Sequence, residues 1–158
     1  TAYEISLGLV GSEMCIRDRY YPMWHGTFTD LIQNINDLGN ELQKSVLIAE
    51  TAYPFTLEWN DNTNNIVGLE TQLLEDYEAT ENGQFLFLHD LITLVGENNF
   101  GLGICYWAPD WISTEQFGSP WENQALFDFD GELNASFPAC LGARSPSLRC
   151  FCGSGSSS

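Results

Sequence analysis

The stretch Ser45-Val46-Leu47-Ile48-Ala49-Glu50-Thr51-Ala52-Tyr53-Pro54 decides the fold. Ser45 to Ala49 is a short apolar run, long enough only for a strand covered on both faces. Glu50 closes that strand at its C-terminal end. A carboxylate there is costly unless it is hydrogen-bonded or used. Three roles are open from position alone: a functional carboxylate, a cap on the next turn, or the partner of a buried arginine. Between Tyr20 and Pro138 there is no arginine, so the last role needs a residue from elsewhere.

Working outward, Thr27, Thr29 and Asp30 offer caps, and Leu31, Ile32, Ile35, Leu38 and Leu42 recur at helical spacing. The spacing predicts an amphipathic helix over 29–43. Before it, Tyr20-Tyr21-Pro22-Met23-Trp24-His25-Gly26 reads as the end of a strand running into a loop. After Pro54 comes a polar loop, WNDNTNNIVG, at 59–68. A second amphipathic helix follows at 83–95, with Phe85, Leu88, Leu91, Ile92 and Val95 on its apolar side. Gly101 to Trp107 (GLGICYW) is a further buried strand, which Ala108-Pro109 ends. A loop, WISTEQFGSPWENQ, leads to a last short element opening at Ala125–Phe129.

Alternating strands and helices place the chain in the α/β class, with parallel strands and right-handed crossovers. Three strands cannot close a barrel or cover both faces of a sheet, so this piece is expected to belong to something larger. In such folds ligands bind at the C-terminal ends of the strands. There the sequence sets Glu50 among Tyr20, Tyr21, Trp24, Tyr53, Tyr106 and Trp107. Aromatic planes beside carboxylates suit sugar rings, whose C–H faces stack on them. Trp111 and Trp121 read as space-filling residues of the rim.

Composition narrows the partners. The 158 residues carry 22 acidic and 5 basic side chains, a formal charge of −17. Five scattered cations cannot neutralise a row of phosphates, so no nucleic-acid partner is expected. No apolar run of about 18 residues exists, so no membrane span is expected. Five cysteines without framework spacing argue against a disulfide scaffold, and Cys150 and Cys152 lack the partner pair of a zinc site.

The two ends differ from the middle. Residues 1–19, TAYEISLGLVGSEMCIRDR, resemble the one-frame translation of a DNA-sequencing library adapter: a flow-cell end, an index and a transposon end. They are expected to be an artefact rather than a domain, and Cys15, Arg17 and Arg19 to carry no function. Residues 142–158, GARSPSLRCFCGSGSSS, lose acids and end in Gly and Ser. Residues 139–158 are expected to be a disordered or out-of-frame tail. Between them, Tyr20 to Pro138 holds 19 acids and a single cation, Lys44.

Five strings in that middle segment, YYPMWHGT, VLIAETAYPFTL, ATENGQ, GICYWAPDWI and GSPWENQALFDF, resemble in order and spacing the C-terminal part of family 53 glycoside hydrolases. These are arabinogalactan endo-β-1,4-galactanases built on a (β/α)8 TIM barrel. The resemblance covers about Tyr20 to Phe137 and implies the last third of such a domain, 20–138. Tyr20–Tyr21 would end strand six, Ser45–Glu50 would be strand seven, and Gly103–Trp107 strand eight: a partial, incomplete barrel.

The resemblance implies that Glu50 is the nucleophile of a retaining, double-displacement mechanism. The family's acid/base is the glutamate of an Asn-Glu pair on strand four, which has no counterpart here. Asn40-Glu41 lies inside a helix and is no substitute. Tyr20 or Tyr21 would hydrogen-bond the nucleophile, Trp107 would form a sugar platform, and Trp24, His25 and Tyr53 would line the cleft. His25 reads equally well as a loop histidine of the rim. Some members bind calcium in the loop after strand seven, which puts Asp61, Thr63 and Asn65 forward as ligands. One charged and two neutral donors make a poor calcium site, and a turn-forming polar loop is the favoured reading. No cofactor is required.

The implied partner is β-1,4-galactan or arabinogalactan, and the implied whole enzyme is secreted and monomeric. The fragment itself is expected to be inactive. Two other readings stand beside this one: another retaining β-glycanase of the same clan, and a non-catalytic carbohydrate-binding relative.

Overall fold

The computed structural model describes residues 15–136 and the backbone of 149–152. Four strands form one parallel sheet in the order β1-β2-β3-β4: β1 Cys15–Arg19, β2 Ser45–Thr51, β3 Gly101–Tyr106 and β4 Arg149–Cys152. Three helices lie between them: α1 Pro22–His25, α2 Phe28–Leu42 and α3 Glu81–Glu97. The expected α/β alternation is therefore present. Among the described residues no helix is long and apolar enough to cross a membrane.

Helix α2 begins where its chemistry says it should. The Thr27 hydroxyl accepts the Asp30 N–H at 3.3 Å, and the Asp30 carboxylate accepts the Thr27 N–H at 2.7 Å. These reciprocal bonds satisfy two of the donors that every helix start leaves open. Leu31, Ile35 and Gly39, spaced by four, form the buried face. Helix α3 is capped by Thr80, whose hydroxyl accepts the Gly83 N–H at 3.0 Å, and runs one turn beyond the expected 83–95 in total.

The core lies between one face of the sheet and these helices. Val46 and Ile48 of β2 and Ile104 and Tyr106 of β3 meet Leu31 and Ile35 of α2 and Phe87, Leu88, Leu91 and Val95 of α3, all nearly solvent-free. Leu47, Ala49 and Cys105, which alternate with them, are only half-buried on the opposite face. The functional end of the sheet is thus set against a packed layer on one side only.

Three segments differ from the sequence reading. Residues 22–25, expected to be loop, make one turn of helix. Pro22 fits there because its φ is already helical and a first-turn residue needs no N–H donor. Gly26 then ends the turn at φ +82° and donates its N–H to the Pro22 carbonyl at 3.0 Å. Residues 15–19, assigned to adapter, form β1 along the open edge of β2, and Ile16 packs on the core. Part of the expected disordered tail, residues 149–152, forms β4 along β3. An open sheet edge presents unpaired N–H and C=O groups, so it accepts an extended segment with little demand on its side chains. The rest of the adapter and tail assignments lies outside the described residues.

Candidate active site

Strict alternation would put Glu50 on the helix-facing side, with Val46 and Ile48. It does not, because β2 holds one extra residue at this point. On the β1 side the register runs Asp18↔Ile48 and then Arg19↔Glu50. On the β3 side it runs Ile48↔Ile104 and then Thr51↔Tyr106. The bulge turns the Glu50 carboxylate out of the core and toward Tyr21 at the sheet's C-terminal end.

The Tyr21 hydroxyl donates to Glu50 Oε1 at 3.3 Å. Burial, and then the charge and hydrogen bond of Glu50, push the phenol well above its ordinary value of 10.0. It therefore stays protonated and remains a donor. Arg19 Nε lies 3.7 Å from Glu50 Oε2, with the arginine side chain 60% and the glutamate side chain 25% exposed. So the arginine partner missing from the middle segment comes from the residues assigned to adapter. An ion pair that wet and that long contributes little.

A row of rings leads away from Tyr21. Trp24, 59% exposed, meets Tyr21 edge-on at 5.3 Å between centroids. Tyr21 meets Trp121 at 5.6 Å, Trp121 meets Trp107 at 6.4 Å, and Trp107 meets Trp111 at 5.5 Å. Trp107 is held by its N–H on the Thr51 carbonyl at 2.8 Å, and Ala108 beside it turns the chain at φ +51°. A left-handed alanine is locally unfavourable and is kept by its surroundings. The Trp107 indole Nε1 is buried and has no hydrogen-bond partner among the described residues. The sequence reading set Trp121 on the rim as a space-filling residue; it lies in an irregular loop, and the fold brings it between Tyr21 and Trp107.

The structure separates the remaining expected residues. Tyr20, Tyr21 and Tyr53 are equally buried, and their hydroxyl partners separate them: Tyr21 reaches Glu50, whereas Tyr20 and Tyr53 are engaged within the core. Tyr20 is 1% exposed, stacks on Phe87 and donates to the Gly26 carbonyl at 2.9 Å. Tyr53 is 2% exposed, stacks on Phe87 at 4.2 Å, and donates to the Tyr77 carbonyl at 2.7 Å. Pleating explains the first case, since Tyr20 and Tyr21 must point to opposite faces. His25 reaches the site indirectly: its Nδ1 accepts the Tyr21 backbone N–H at 2.9 Å.

Asp61, Thr63 and Asn65 form a braced loop. The Asp61 carboxylate accepts the Thr63 N–H on one oxygen and the Ser119 N–H, at 2.8 Å, on the other. The bond from the Thr63 backbone, and then that from Ser119, hold this acid below its ordinary 3.8 despite partial desolvation. The Asn65 amide donates to the Glu58 carbonyl at 3.3 Å, while its buried oxygen has no partner among the described residues. Both Asp61 oxygens are already committed to N–H donors, and no group of three His, Cys, Asp or Glu with metal-holding geometry occurs among the described residues. Calcium asks for six to eight oxygens, so these three residues alone do not fit it. Glu122, fully buried beneath this loop, accepts the Asn60 N–H at 2.8 Å.

Comparison with known proteins fits this geometry. Residues 15–140 match the model of Glycosyl hydrolase family 53. An arabinogalactan endo-beta-1,4-galactanase of Cellvibrio japonicus is 38% identical over 128 residues, covering 77% of this chain and 33% of the relative. An endo-beta-1,4-galactanase of Bacillus subtilis is 31% identical over 148 residues, covering 71% of this chain and 34% of the relative. Among solved structures, the GH53 catalytic domain of Ignisphaera aggregans superposes with a TM-score of 0.73 at 38% identity, over 80% of this chain and 38% of that one. The chain spans about a third of the length of the curated relatives it matches. With the family model matched over most of its length, the chain belongs to glycosyl hydrolase family 53.

Proposed function

We propose that the chain is the C-terminal part of a retaining endo-β-1,4-galactanase, secreted and acting on β-1,4-galactan or arabinogalactan, with Glu50 as its nucleophile. One observation carries the reading: Glu50 is turned by the bulge in β2 onto the Tyr21 hydroxyl, at 3.3 Å, beside a row of tryptophans. The galactanase names of the relatives support the substrate class.

In this reading a galactosyl unit packs on the rings of Trp107 and Trp121, and the buried Trp107 Nε1–H is available to a sugar hydroxyl. A Glu50 oxygen attacks the anomeric carbon, the bond to the leaving oxygen breaks, and its electron pair leaves with that oxygen. Tyr21 holds the carboxylate in place for this attack. Protonating an ordinary sugar leaving group needs a second carboxyl about 5–5.5 Å away. The family resemblance puts that acid on a strand-four Asn-Glu pair outside these 158 residues. This chain alone is therefore expected to leave galactan uncut.

The nucleophile can be tested without the acid. A 2,4-dinitrophenyl 2-deoxy-2-fluoro-β-galactoside carries a leaving group that needs no proton. Incubation with the whole chain should add one fluorogalactosyl group, found by peptide mass spectrometry on Glu50 and absent in Glu50→Gln. No adduct, or an adduct on another residue, would overturn the assignment. A matching glucoside or mannoside that labels faster would move the substrate class to another β-glycanase.

A further inference from the structure

His25 and Tyr21 are tied by two bonds of opposite direction. The His25 backbone N–H donates to the Tyr21 carbonyl at 2.9 Å, and the Tyr21 N–H donates to His25 Nδ1, also at 2.9 Å. Together they close α1 into a ring. A single helical turn is too short to hold itself, because its nucleus costs more conformational freedom than one hydrogen bond returns. The side-chain bond therefore carries a real share of the turn. It also fixes the backbone of the residue whose phenol meets Glu50.

An imidazole nitrogen accepts only while it keeps its lone pair. With Nδ1 accepting, the ring must be neutral and carry its proton on Nε2. Adding a second proton turns Nδ1 into a donor facing the Tyr21 N–H, and the two repel.

Resting on the nucleophile reading above, we propose that His25 is a positioning residue. Its neutral imidazole clamps Tyr21 through the backbone and so aims the Tyr21 hydroxyl at Glu50. Protonation releases the clamp and disengages the carboxylate from its donor.

The surroundings of the ring agree. It lies among the rings of Tyr20, Tyr21 and Trp24, with centroids 6.4–6.5 Å away. Burial lowers the His25 pKa from 6.5; Asp18 of β1 opposes this and Arg19 of β1 adds to it. The other nearby acids are engaged elsewhere: Asp30 of α2 on Thr27, and Glu50 of β2 on the Tyr21 phenol. The clamp is thus closed at neutral pH and opens on acidification below 6.5.

The test is a pH titration of the whole isotope-labelled chain by NMR, paired with the rate of Glu50 labelling by the fluorogalactoside. The His25 ring should show the Nε2–H tautomer, and the Tyr21 amide signal should move with the same midpoint as the ring. His25→Asn sets an untitratable amide oxygen near the Nδ1 position. It should flatten the Tyr21 response and remove the inflection in labelling that belongs to the ring. His25→Ala should slow labelling at pH 7 by about tenfold, a loss that His25→Asn largely rescues. A Tyr21 amide that ignores the His25 titration would overturn the proposal, as would His25→Ala labelling at the wild-type rate. If the variants fail to fold, the wild-type amide titration decides by itself. If wild type never labels, the nucleophile reading fails while the amide titration still judges the clamp.

Discussion

The Gln84 amide donates to the Tyr106 hydroxyl at 3.1 Å inside the core, joining the first turn of α3 to the end of β3. The same amide reaches the carbonyls of Tyr53 at 2.7 Å and Ala125 at 3.1 Å, and the Tyr106 hydroxyl donates to the Gln124 carbonyl at 2.7 Å. Two fully buried polar side chains thus hold the loops after β2 and β3 in one network. The loop after β3 carries both Trp107 and Trp121.

Gln84→Leu keeps the volume but leaves the Tyr53 and Ala125 carbonyls only their longer bonds, from the Tyr106 hydroxyl at 3.2 Å and the Asn134 amide at 3.3 Å, and takes from the Ser136 hydroxyl the Gln84 oxygen to which it donates. Each buried polar group left without a partner costs about 1–3 kcal/mol. Urea unfolding should show a loss of about 1–3 kcal/mol for Gln84→Leu. A loss under about 1 kcal/mol would mean that the network does not hold the loops.

Tyr21→Phe removes the donor to Glu50 and little else, since the ring contacts with Trp24 and Trp121 remain. A hydrogen bond to a charged group contributes about 1.5–3 kcal/mol. Labelling of Glu50 by the fluorogalactoside should slow by roughly 10- to 100-fold, with urea stability within about 1 kcal/mol of wild type. Equal labelling rates would show that the phenol does not prepare the carboxylate.

Alkaline conditions should unfold the protein in a defined window. Burial raises the Tyr20 and Tyr21 phenols well above 10.0 and pushes Tyr53 up to about 12. In the unfolded chain they ionise near 10, so above that pH the folded state binds more protons and stability falls as pH rises. Stability should be full below pH 10 and drop progressively toward pH 12 as these phenols are forced to ionise. Melting temperatures taken from pH 8 to 12 check this, and a flat profile would contradict the burial of these hydroxyls.

Gly83 sits where a Cβ would lie 1.9 Å from the Glu78 carbonyl oxygen, a backbone atom that cannot swing aside. Gly83→Ala should therefore cost about 2 kcal/mol or more, in the range of overpacked cores, and loosen the start of α3. Gly68 is the control, since a Cβ there meets nothing nearer than 3.8 Å. Gly68→Ala should stay within about 0.5 kcal/mol of wild type, because a compatible Gly→Ala change acts mostly on the unfolded chain. Thermal unfolding of the pair separates the two outcomes.

Much of this was legible in the sequence because it depends on local pattern. Leu31 and Ile35 announce α2, the apolar runs announce β2 and β3, and Glu50 stands out as a charge closing a buried strand. Which tyrosine touches Glu50 was not legible: Tyr20 and Tyr21 are adjacent and both buried, and only the pleat decides whose hydroxyl meets the carboxylate. Gln84 was missed because a polar residue near a helix start reads as solvated unless its partners, up to 52 residues away, are known. Trp121 was read as filling space on the rim, because only the fold brings its ring between Tyr21 and Trp107. Tyr53 was expected at the cleft from its nearness to Glu50 in sequence, whereas its hydroxyl donates to the Tyr77 carbonyl at 2.7 Å.

The extra residue in β2 has a genetic consequence. Every substitution at Ala49 leaves the length of the strand unchanged, and with it the outward turn of the next side chain. Deleting Ala49 would remove the extra residue and set the glutamate directly after Ile48, so plain alternation would still turn its carboxylate away from Val46, Ile48 and the helices. The direction of the Glu50 side chain is therefore protected twice, by the bulge as it stands and by alternation once the bulge is gone. What a one-codon deletion here would move is the position of the carboxylate along the strand, not the face on which it stands.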